Sequence, residues 1–588
     1  MKVEAYLKMR LRYARRALGG NVKAGVWLAL LVGCGSGEEA AESMAAPVPG
    51  QLSEKNATPN VLFIVWDTVR ADHLSLYGYS KPTSPRLEAF ASKAVVYERA
   101  TSPGMWTLPA HASMFTGLPG TSHGANAKHR WLDHHHDTLA ELLGRAGYDT
   151  FGMSTNLIAS PMSNLAQGFD VFETTYPRGP KGRAGKYSRA AKQATMSKIL
   201  AEDASTEMSP KFAGNSGDKW TKAVYKDAGP VLHTALGEFL GNREGDRPWF
   251  AYLNMMEAHS PRVPSLASRK KVMDAERLAL GLATDASLFA SNAYIIGKNS
   301  YTDEEMAAIN GVYDASLIDV DEATGAMLDD LEGRGLLDNT LVIIVSDHGE
   351  SLGEHQLLEH RWSMYDGLLH VPLVVRYPGQ SEGERVPERV STIDLFATVL
   401  DVTGTDIPDN PAVRSTSLRG RVFDDLVFSE MRDPFASMMK NVHQAWPEHD
   451  LTPWLQTYDV AYQGDYKLLR ACDGTAKVFD IGADPLEGRP LEDAERAQAL
   501  SSAFDAWHGG LTPYDPARRG PREGARQQVD EDRAMLVALG YTQDEGEIDA
   551  HPCAMKPRVP SGAAEGASGA EPTDDVEEQV RPTEPGGE

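Results

Sequence analysis

The stretch that decides the fold is VLFIVWDTVRAD, which runs from Val61 to Asp72. Its apolar run ends directly at a carboxylate, Asp67, and a similar run in LVIIVSDHGE ends just before Asp347 and His348. Continuous apolar runs of this length are typical of central strands that are covered on both faces. In open α/β sheets ligands bind beyond the carboxyl ends of the strands, so we expect these three polar side chains to meet there.

The rest of the chain alternates strand-like and helical patterns. Further apolar runs lie at Trp249–Leu253 and Leu373–Val375, and helical patterns lie at Thr138–Ala146 and Ala315–Leu331. This alternation predicts an α/β/α sandwich with a mostly parallel central sheet. From about Val427 the pattern changes to short strands, which predicts a small C-terminal subdomain with an antiparallel sheet and a helix.

Composition divides the chain into five parts. The segment before the first strand and the end of the chain are rich in proline, glycine, alanine and acidic residues, which is typical of a flexible tether and a disordered tail. The predicted parts are a signal peptide (1–34), a tether (35–59), the main domain (60–426), the C-terminal subdomain (427–555) and an acidic tail (556–588). Two stretches, 174–222 and 262–302, interrupt the main domain and are expected either to frame a substrate entrance or to be ordinary surface excursions.

The charge balance limits the range of partners. The 588 residues contain 83 acidic and 58 basic side chains, which gives a formal net charge of -25. Such a balance argues against general nucleic-acid binding. A protein of this charge that acts on an anion must build positive potential locally, from a metal ion and a few basic side chains.

The N-terminal segment predicts export and a lipid anchor. Basic residues precede an apolar stretch, Gly25–Val32, which is much shorter than the roughly 20 residues of a spanning helix. The stretch ends in Leu-Val-Gly-Cys, which resembles the lipobox of bacterial lipoproteins and predicts lipid attachment to Cys34. The protein is then expected in the bacterial cell envelope, as a periplasmic or outer-membrane lipoprotein; an ordinary signal peptide is the alternative. In an oxidising compartment Cys472 and Cys553 can pair, and the sequence leaves this open.

The segment MWTLPAHASMFTG supplies a hydroxyl, that of Thr107. Pro109 suits the first turn of a helix, so Thr107 is expected at a helix N-terminus, where backbone N–H groups and the helix dipole favour an anion. Together with Asp67, Asp347 and His348, the hydroxyl completes a usable ligand set for one divalent cation. A cation on Oγ would activate Thr107 as a nucleophile. A simple helix cap is the alternative interpretation.

These segments, in this order, resemble the sulfatase family of the alkaline-phosphatase-like superfamily. The likeness runs from about Asn60 to about Leu491 and includes TLAELLGRAGYDT, NMMEAHSP and KVFDIGADPLEGRPL. It implies a metal-dependent hydrolase of an anionic ester with an alkaline-phosphatase-like fold. Sulfatases of this family carry cysteine or serine in a Cys-x-Pro-x-Arg pattern and convert it to formylglycine. Here Thr107 and His111 stand at those positions.

The threonine changes the expected substrate. Threonine cannot become formylglycine, and a sulfated threonine has no elimination route, whereas a phosphorylated threonine can be hydrolysed by in-line attack. We therefore expect a phosphate monoester or diester, or a phosphonate ester. One alternative is sulfate-ester hydrolysis without formylglycine, with Thr107 positioning water. Another is a lipoprotein without catalytic activity that binds sulfated or phosphorylated glycans.

The resemblance also implies roles for other side chains. His259 matches a family histidine near the leaving group, and His111 and His360 are further candidates for contact with the transition state. Lys128 and Arg70 are candidates for binding ester oxygens, although Arg70 also resembles a residue that braces the first metal loop. The run His134–His136 lies between aspartates and is expected in a solvated loop.

The predicted cation is zinc or manganese. His348 stands where sulfatases often have asparagine, and Thr68 stands where they usually have a second aspartate. An imidazole ligand disfavours calcium, which prefers oxygen ligands, and suits zinc or manganese. Calcium and magnesium remain alternatives, and the oligomeric state is left open.

Overall fold

The structure is a computed structural model that describes residues 58–176, 186–203, 227–420, 426–433 and 442–518. These residues all fall in one compact unit, which begins at residue 57. The predicted signal peptide with Cys34, most of the tether and the acidic tail lie outside the described residues. Within the described ranges, no helix combines the length and the apolar character needed to cross a membrane.

An eight-stranded sheet forms the centre of the molecule, in the order β10-β2-β9-β6-β1-β5-β3-β4. Every neighbouring pair is parallel except those of β9, which runs antiparallel to both β6 and β2. The mostly parallel sheet is therefore confirmed. The strands are β1 (Asn60–Trp66), β2 (Val95–Thr101), β3 (Asp149–Ser154), β4 (Val171–Thr174), β5 (Trp249–Met255), β6 (Thr340–Ser346), β9 (His370–Arg376) and β10 (Glu384–Ser391).

Strand β1 shows why the apolar run has no polar gaps. Val61, Phe63 and Val65 point into one hydrophobic cluster, and the intervening residues of the strand point into a second cluster on the opposite face. Because side chains alternate between the two faces of a strand, a strand that is covered twice needs an apolar residue at every position. The same reasoning explains the apolar runs of β5 and β6, which flank β1.

Helices cover both faces of the sheet. On one face lie α2 (Thr107–Thr116), α4 (Leu139–Arg145) and α12 (Leu395–Thr403), and on the other α1 (Pro85–Ala91), α6 (Gly229–Asn242) and α10 (Asp303–Gly333). Capping boxes open α4 and α10, since Thr138 and Thr302 exchange hydrogen bonds with glutamates three residues later. The remaining helices named here are α3 (Gly120–His123), α5 (Lys186–Asp203), α7 (Leu266–Val272), α8 (Ala275–Ala283), α9 (Leu288–Ile295), α11 (Asp366–Leu369) and α13 (Ala494–Gly509).

A four-stranded antiparallel sheet follows the main domain, as expected. Its strands are β11 (Leu426–Met431), β12 (Tyr458–Gln463), β13 (Tyr466–Ala471) and β14 (Ala476–Asp480), and α13 packs on it through Leu500 and Phe504. A two-stranded ribbon of β7 (Ser351–Leu352) and β8 (Leu358–Glu359) lies in the main domain. Cys472 follows β13 and is disulfide-bonded, and the other two cysteines, Cys34 and Cys553, lie outside the described residues.

A buried ion cluster joins this sheet to the main domain. Lys467 of β13 is fully buried, and its Nζ donates to the Met364 carbonyl at 2.8 Å and to Asp366 Oδ1 at 2.8 Å. Nζ also lies 2.8 Å from Glu487 Oε1. Although burial alone would raise it, the charge of Lys467 holds the pKa of Asp366 below its usual range. The ammonium group of Lys467 therefore contacts both carboxylates at the junction, and the charge of Arg389 adds to its effect on Asp366.

Replacing Lys467 with methionine is expected to lower the free energy of unfolding by about 3–5 kcal/mol, because Asp366 and Glu487 then lose the cation that contacts both of them. Urea unfolding followed by circular dichroism measures this change. Lys477→Met is the matched control, since Lys477 is exposed on the neighbouring strand and its loss should cost within about 0.5 kcal/mol. A loss of unfolding free energy in Lys467→Met as small as the one in Lys477→Met would show that the buried cluster contributes little to stability.

Candidate active site

Asp67, Asp347 and His348 come together at the carboxyl ends of β1 and β6. The two strands pair Trp66 with Ser346 in parallel register, so the residue after each strand lies beside the residue after the other. Asp67, Asp347 and His348 are fully buried, and each offers a ligand atom within 4.8 Å of the other two. The expected meeting of these side chains at one edge of the sheet is thus what the structure has.

The turn after β1 is strained where it presents Asp67. Thr68 has a φ of 64°, in the left-handed region that a β-branched residue rarely adopts. Its N–H donates to Asp347 Oδ1 at 3.3 Å, and its carbonyl accepts from the Tyr313 hydroxyl at 2.8 Å. Backbone strain of this kind persists only where surrounding contacts stabilise it. Here the contacts of Thr68 with Asp347 and Tyr313 keep the Asp67 carboxylate close to that of Asp347.

Thr107 is the first residue of α2, and its hydroxyl faces this cluster. Oγ1 lies 3.4 Å from His348 Nε2 and accepts from Asn156 Nδ2 at 3.3 Å. The residue at the N-cap position is Trp106, so Thr107 is not the cap of its helix. The interpretation of Thr107 as a simple helix cap is therefore wrong. The hydroxyl is instead placed where helix N–H groups, two carboxylates and an imidazole converge.

The donor atoms of this cluster fit a divalent cation. Within the described part of the chain, Asp67 Oδ1 and Asp347 Oδ2 are buried without a hydrogen-bond partner. His348 donates its Nδ1–H to the Gly349 carbonyl at 2.9 Å, which leaves the lone pair on Nε2, 3.4 Å from Asp347 Oδ2. A backbone carbonyl that fixes the tautomer in this way is a common support for a ligating histidine. Two carboxylate oxygens, one imidazole nitrogen and one hydroxyl are thus available to one ion.

The two carboxylates are costly without a positive charge between them. Burial, together with repulsion from Asp347, raises the pKa of Asp67 to about 7. Burial raises the pKa of Asp347 to about 7 as well. Asn156 and Asn254 donate to Asp67 Oδ2 at 2.7 and 3.4 Å, which offsets only part of this cost. A cation is the partner that such a pair lacks.

These raised pKa values predict a pH dependence of metal affinity. An acid with a pKa of about 7 is protonated below that pH, and a cation binds only the deprotonated carboxylate. Below pH 7 the affinity of the metal-free protein for Mn²⁺ should therefore fall by about tenfold per pH unit for each proton that the cation displaces. Above pH 7 the affinity should level off. Calorimetric titrations from about pH 5.5 to 8.5 measure this, and an affinity independent of pH would contradict it.

Two of the predicted histidines lie in a row with His348. The ring centroids of His348 and His360 are 4.6 Å apart, and those of His360 and His259 are 4.9 Å apart. His360 donates Nδ1–H to Glu350 Oε1 at 3.1 Å, and Arg262 pairs with the other oxygen of that carboxylate at 2.5 Å. His259 donates Nδ1–H to the Ser260 carbonyl at 2.5 Å. The structure thus brings both residues beside the candidate metal site.

His111 lies beside the cluster, with Nδ1 3.5 Å from Asp347 Oδ2, but its surroundings do not suit it to donate a proton. Its Nδ1–H donates to the Thr107 carbonyl at 2.9 Å, and the ring is fully buried. Burial lowers the pKa of His111 to about 3, so the ring is neutral and its only proton is on Nδ1. Such a histidine cannot protonate a leaving group. It fixes the first turn of α2, and with it Thr107.

The predicted basic residues are not gathered at the cluster. Arg70 is buried and donates to both oxygens of Asp72 (2.9 and 2.7 Å), to Glu354 (2.8 Å) and to the Glu350 carbonyl (3.1 Å). This is a brace for the loop after β1, and it leaves the predicted contact of Arg70 with substrate unsupported. Lys128 is exposed, and its described hydrogen bond is donated by its backbone N–H to Asn126.

The histidine run lies only partly in solvent. His134 and His135 are exposed, as expected for a solvated loop, whereas His136 and the neighbouring Asp133 are buried. Asp133 Oδ2 lies 3.2 Å from His129 Nε2 and accepts from the Tyr514 hydroxyl. This contact could not be predicted from local sequence patterns, because Tyr514 and Asp133 are 381 residues apart in the chain.

Two asparagines belong to the site and were not predicted from the sequence. Asn254 lies in β5, and Asn156 follows the end of β3, the strand next to β5. Their amides contact the Asp67 carboxylate, so four adjacent strands, β6, β1, β5 and β3, end at the site. The position of Asn156 just beyond a strand was the available signal, but an amide is less distinctive than a carboxylate or an imidazole.

Comparison with known proteins agrees with the site. Residues 59–405 match the sulfatase family, and residues 353–506 match the C-terminal region of N-sulphoglucosamine sulphohydrolase. The chain belongs to the sulfatase family and is an ester-hydrolysing enzyme with the alkaline-phosphatase-like fold. Enzymes of this family use a divalent metal, for which the Asp67, Asp347 and His348 group is the candidate site. The alternative of a lipoprotein without catalytic activity does not agree with this membership.

Individual relatives include enzymes of both ester classes. The chain is 23% identical over 465 residues to an ulvan-active sulfatase of Formosa agariphila, covering 78% of this chain and 81% of that one. A phosphonate monoester hydrolase of Agrobacterium radiobacter superposes with a TM-score of 0.57 at 22% identity, covering 77% of this chain and 95% of that one. A protein solved with its substrate D-glucosamine-2-N,6-O-disulfate superposes with a TM-score of 0.57 at 17% identity, covering 79% of this chain and 100% of that one. At these identities the superpositions establish the fold alone.

Proposed function

We propose that this enzyme hydrolyses a phosphorus ester, either a phosphate monoester or diester or a phosphonate ester, by direct attack of Thr107. The observation that carries the proposal is the residue itself. A threonine hydroxyl, which cannot become formylglycine, lies at the N-terminus of α2 within 3.4 Å of His348 Nε2. A hydroxyl nucleophile leaves a phosphorylated threonine, from which water can displace the phosphoryl group.

The first half of the reaction is attack and departure. The Oγ1–P bond forms as the bond from phosphorus to the leaving oxygen breaks, the hydroxyl proton passes to solvent, and the leaving oxygen takes a proton from a histidine. Asp67, Asp347, His348 and Thr107 would hold a divalent cation, zinc or manganese by the ligand types, which lowers the hydroxyl pKa and neutralises ester oxygens. The N–H groups of the first turn of α2, which begins at Thr107, would face the same anion.

The second half restores the enzyme. Water attacks phosphorus and gives one proton to the histidine, the Oγ1–P bond breaks, and Thr107 regains a proton from solvent. His259 is the proposed proton carrier: its Nδ1–H is bonded to the Ser260 carbonyl, so it would carry the transferred proton on Nε2. His360 is the weaker candidate, because burial and the neighbouring His348 hold its pKa well below the usual range. His259 lies shortly after β5, and its ring contacts that of His360. It is therefore at the end of the histidine row that is farther from His348.

Sulfate-ester hydrolysis is the second candidate function, and the names of the relatives favour it. The ulvan-active sulfatase is similar over most of the chain. In that mechanism Thr107 would orient a water molecule and would not be modified. The difference is testable, because only the phosphorus mechanism requires a covalent threonine intermediate.

The place of action is a further proposal. We propose that the enzyme is exported and held at a membrane of the bacterial cell envelope by lipid on Cys34. The basic N-terminus, the short apolar stretch 25–32 and the Leu-Val-Gly-Cys sequence support this. Metabolic labelling with a radioactive fatty acid tests it: the wild-type protein should be labelled and the Cys34→Ser variant should not.

A paired turnover assay tests the substrate class. Protein without residues 1–34 is given 4-nitrophenyl sulfate, 4-nitrophenyl phosphate, bis(4-nitrophenyl) phosphate and a phenylphosphonate ester, each with Mn²⁺, Zn²⁺, Ca²⁺ or a chelator. We expect turnover of a phosphorus ester that needs Mn²⁺ or Zn²⁺ and is lost with the chelator. Turnover of the sulfate ester alone would overturn the proposed substrate class in favour of the second candidate.

A further inference from the structure

Asn156 links the candidate nucleophile to the candidate metal site. Its side chain is fully buried, and Nδ2 donates to Asp67 Oδ2 at 2.7 Å and to Thr107 Oγ1 at 3.3 Å. Its Oδ1 accepts from the Ile158 N–H at 2.8 Å. Because a backbone N–H requires an acceptor, this last bond fixes which end of the amide is oxygen and which is nitrogen. The amide therefore presents both of its N–H groups to the site.

The hydrogen-bond directions around Thr107 follow from this. An amide nitrogen has no lone pair to offer, so Thr107 Oγ1 must accept from Asn156. His348 carries its proton on Nδ1, bonded to the Gly349 carbonyl, so in the metal-free protein its Nε2 lone pair can accept the Thr107 O–H at 3.4 Å, and a bound cation would take that lone pair. The amide thus lies where negative charge develops on Oγ1 once the hydroxyl proton has gone. A donor held in place before the reaction is effective at such a position.

We propose that Asn156 is a positioning residue that holds Thr107 and Asp67 as one unit, with its amide stabilising the charge that develops on Oγ1. This inference rests on the proposed function, in which Thr107 is the nucleophile. The second N–H of the Asn156 amide donates to Asp67 Oδ2, which leaves the other oxygen of that carboxylate, Asp67 Oδ1, available to the cation. A single side chain thereby couples the geometry of the nucleophile to that of the metal ligand.

Asn254 provides a matched control. It is also a fully buried asparagine that donates to Asp67 Oδ2, at 3.4 Å, but the other described hydrogen bond of its side chain is accepted from Ser154. Replacing it removes an amide from the same carboxylate and removes no direct hydrogen bond to Thr107. Any effect on the metal ligand alone should therefore occur in both asparagine variants, and an effect on the nucleophile only in Asn156→Ala.

The test is a double-mutant cycle. Asn156→Ala and Asn254→Ala are each made in the wild-type and in the Thr107→Val background, and the dissociation constant of vanadate is measured by calorimetry on protein loaded with Mn²⁺. In the wild-type background Asn156→Ala should weaken vanadate binding by about 10- to 100-fold, as for loss of a hydrogen bond to a charged oxygen. In the Thr107→Val background the same change should have almost no effect. Asn254→Ala should have the same small effect in both backgrounds.

Turnover supplies a second readout. At saturating Mn²⁺, Asn156→Ala should lower kcat by about 10- to 100-fold with little change in KM, because the amide acts on a charge that exists only in the transition state. A role confined to folding or to metal affinity would not produce this split once the metal is saturating.

The inference is overturned if Asn156→Ala has equal effects on vanadate binding in the two backgrounds, if it matches Asn254→Ala, or if the wild-type protein loaded with Mn²⁺ does not bind vanadate. Failure of the proposed function has a separate sign. It would be seen in Thr107→Val alone, as turnover equal to that of the wild-type protein, whatever the asparagine variants do.

Discussion

Replacing Thr107 with valine should lower kcat/KM for the phosphorus ester by on the order of 10⁴- to 10⁶-fold, as for loss of a nucleophile that acts together with its neighbours. Valine keeps the branched shape of threonine, so the fully buried start of α2 should pack as before. The hydroxyl is lost, and with it the atom that would bond to phosphorus. Initial rates with the best phosphorus ester of the turnover assay measure the loss.

Thr116→Val is the matched control for this variant. Thr116 is a buried threonine at the other end of the same helix, and its hydroxyl donates to the Ala112 carbonyl at 2.6 Å. The Thr116→Val variant lacks one hydroxyl of α2 that is not part of the site, so its activity should differ from that of the wild-type protein by no more than a few fold. Thr107→Ser keeps a hydroxyl and should keep measurable turnover. Near wild-type activity of Thr107→Val would show that water attacks directly.

Replacing Asp347 with asparagine should remove most of the metal affinity. The carboxylate supplies charge as well as an oxygen, so the loss should exceed the ~10- to 100-fold typical of residues that only support a ligand. The metal-free protein should be no less stable than before, because one of two buried carboxylates that repel each other is gone. Calorimetric titration with Mn²⁺ measures affinity, and thermal unfolding with and without Mn²⁺ measures the stabilisation that binding provides.

Asp321→Asn separates loss of the site from loss of a buried acid in general. Burial raises the pKa of Asp321 to about 7, as for Asp347, but its oxygens accept from the backbone N–H groups of Arg86 and Leu87 at the start of α1. Mn²⁺ should bind to this variant with wild-type affinity. Retention of tight Mn²⁺ binding by Asp347→Asn would contradict the assignment of Asp347 as a ligand.

The strands and the charged members of the site were predictable because their signals are local. The run 61–66 has no polar residue, which only a strand covered on both faces requires, and Asp67 follows it at once. Asp347 has the same relation to β6. Two such strands need only be neighbours in parallel register for their final carboxylates to meet, and β1 and β6 are neighbours.

The roles of the uncharged and basic side chains were harder to predict, because they depend on partners far away in the chain. Asn156 resembles any polar loop residue until the sheet order places β3 two strands from β1. His111 is suited to proton transfer by its type, yet burial lowers its pKa to about 3, so the ring does not carry the second proton that it would give to a leaving group. The guanidinium of Arg70 donates its hydrogen bonds to Asp72 and to Glu354, and Glu354 is 284 residues away in the chain.

Capture of the covalent intermediate tests the central claim most directly. Enzyme loaded with Mn²⁺ is mixed with an excess of the phosphorus ester that it turns over, quenched in acid within the first turnovers, digested and examined by peptide mass spectrometry. We predict that the peptide containing Thr107 gains the mass of one phosphoryl group (or of the phosphoryl fragment left by a diester or phosphonate) and that fragmentation places it on Thr107. Steady turnover with an unmodified Thr107 peptide at every quench time, together with wild-type rates in Thr107→Val, would contradict the account.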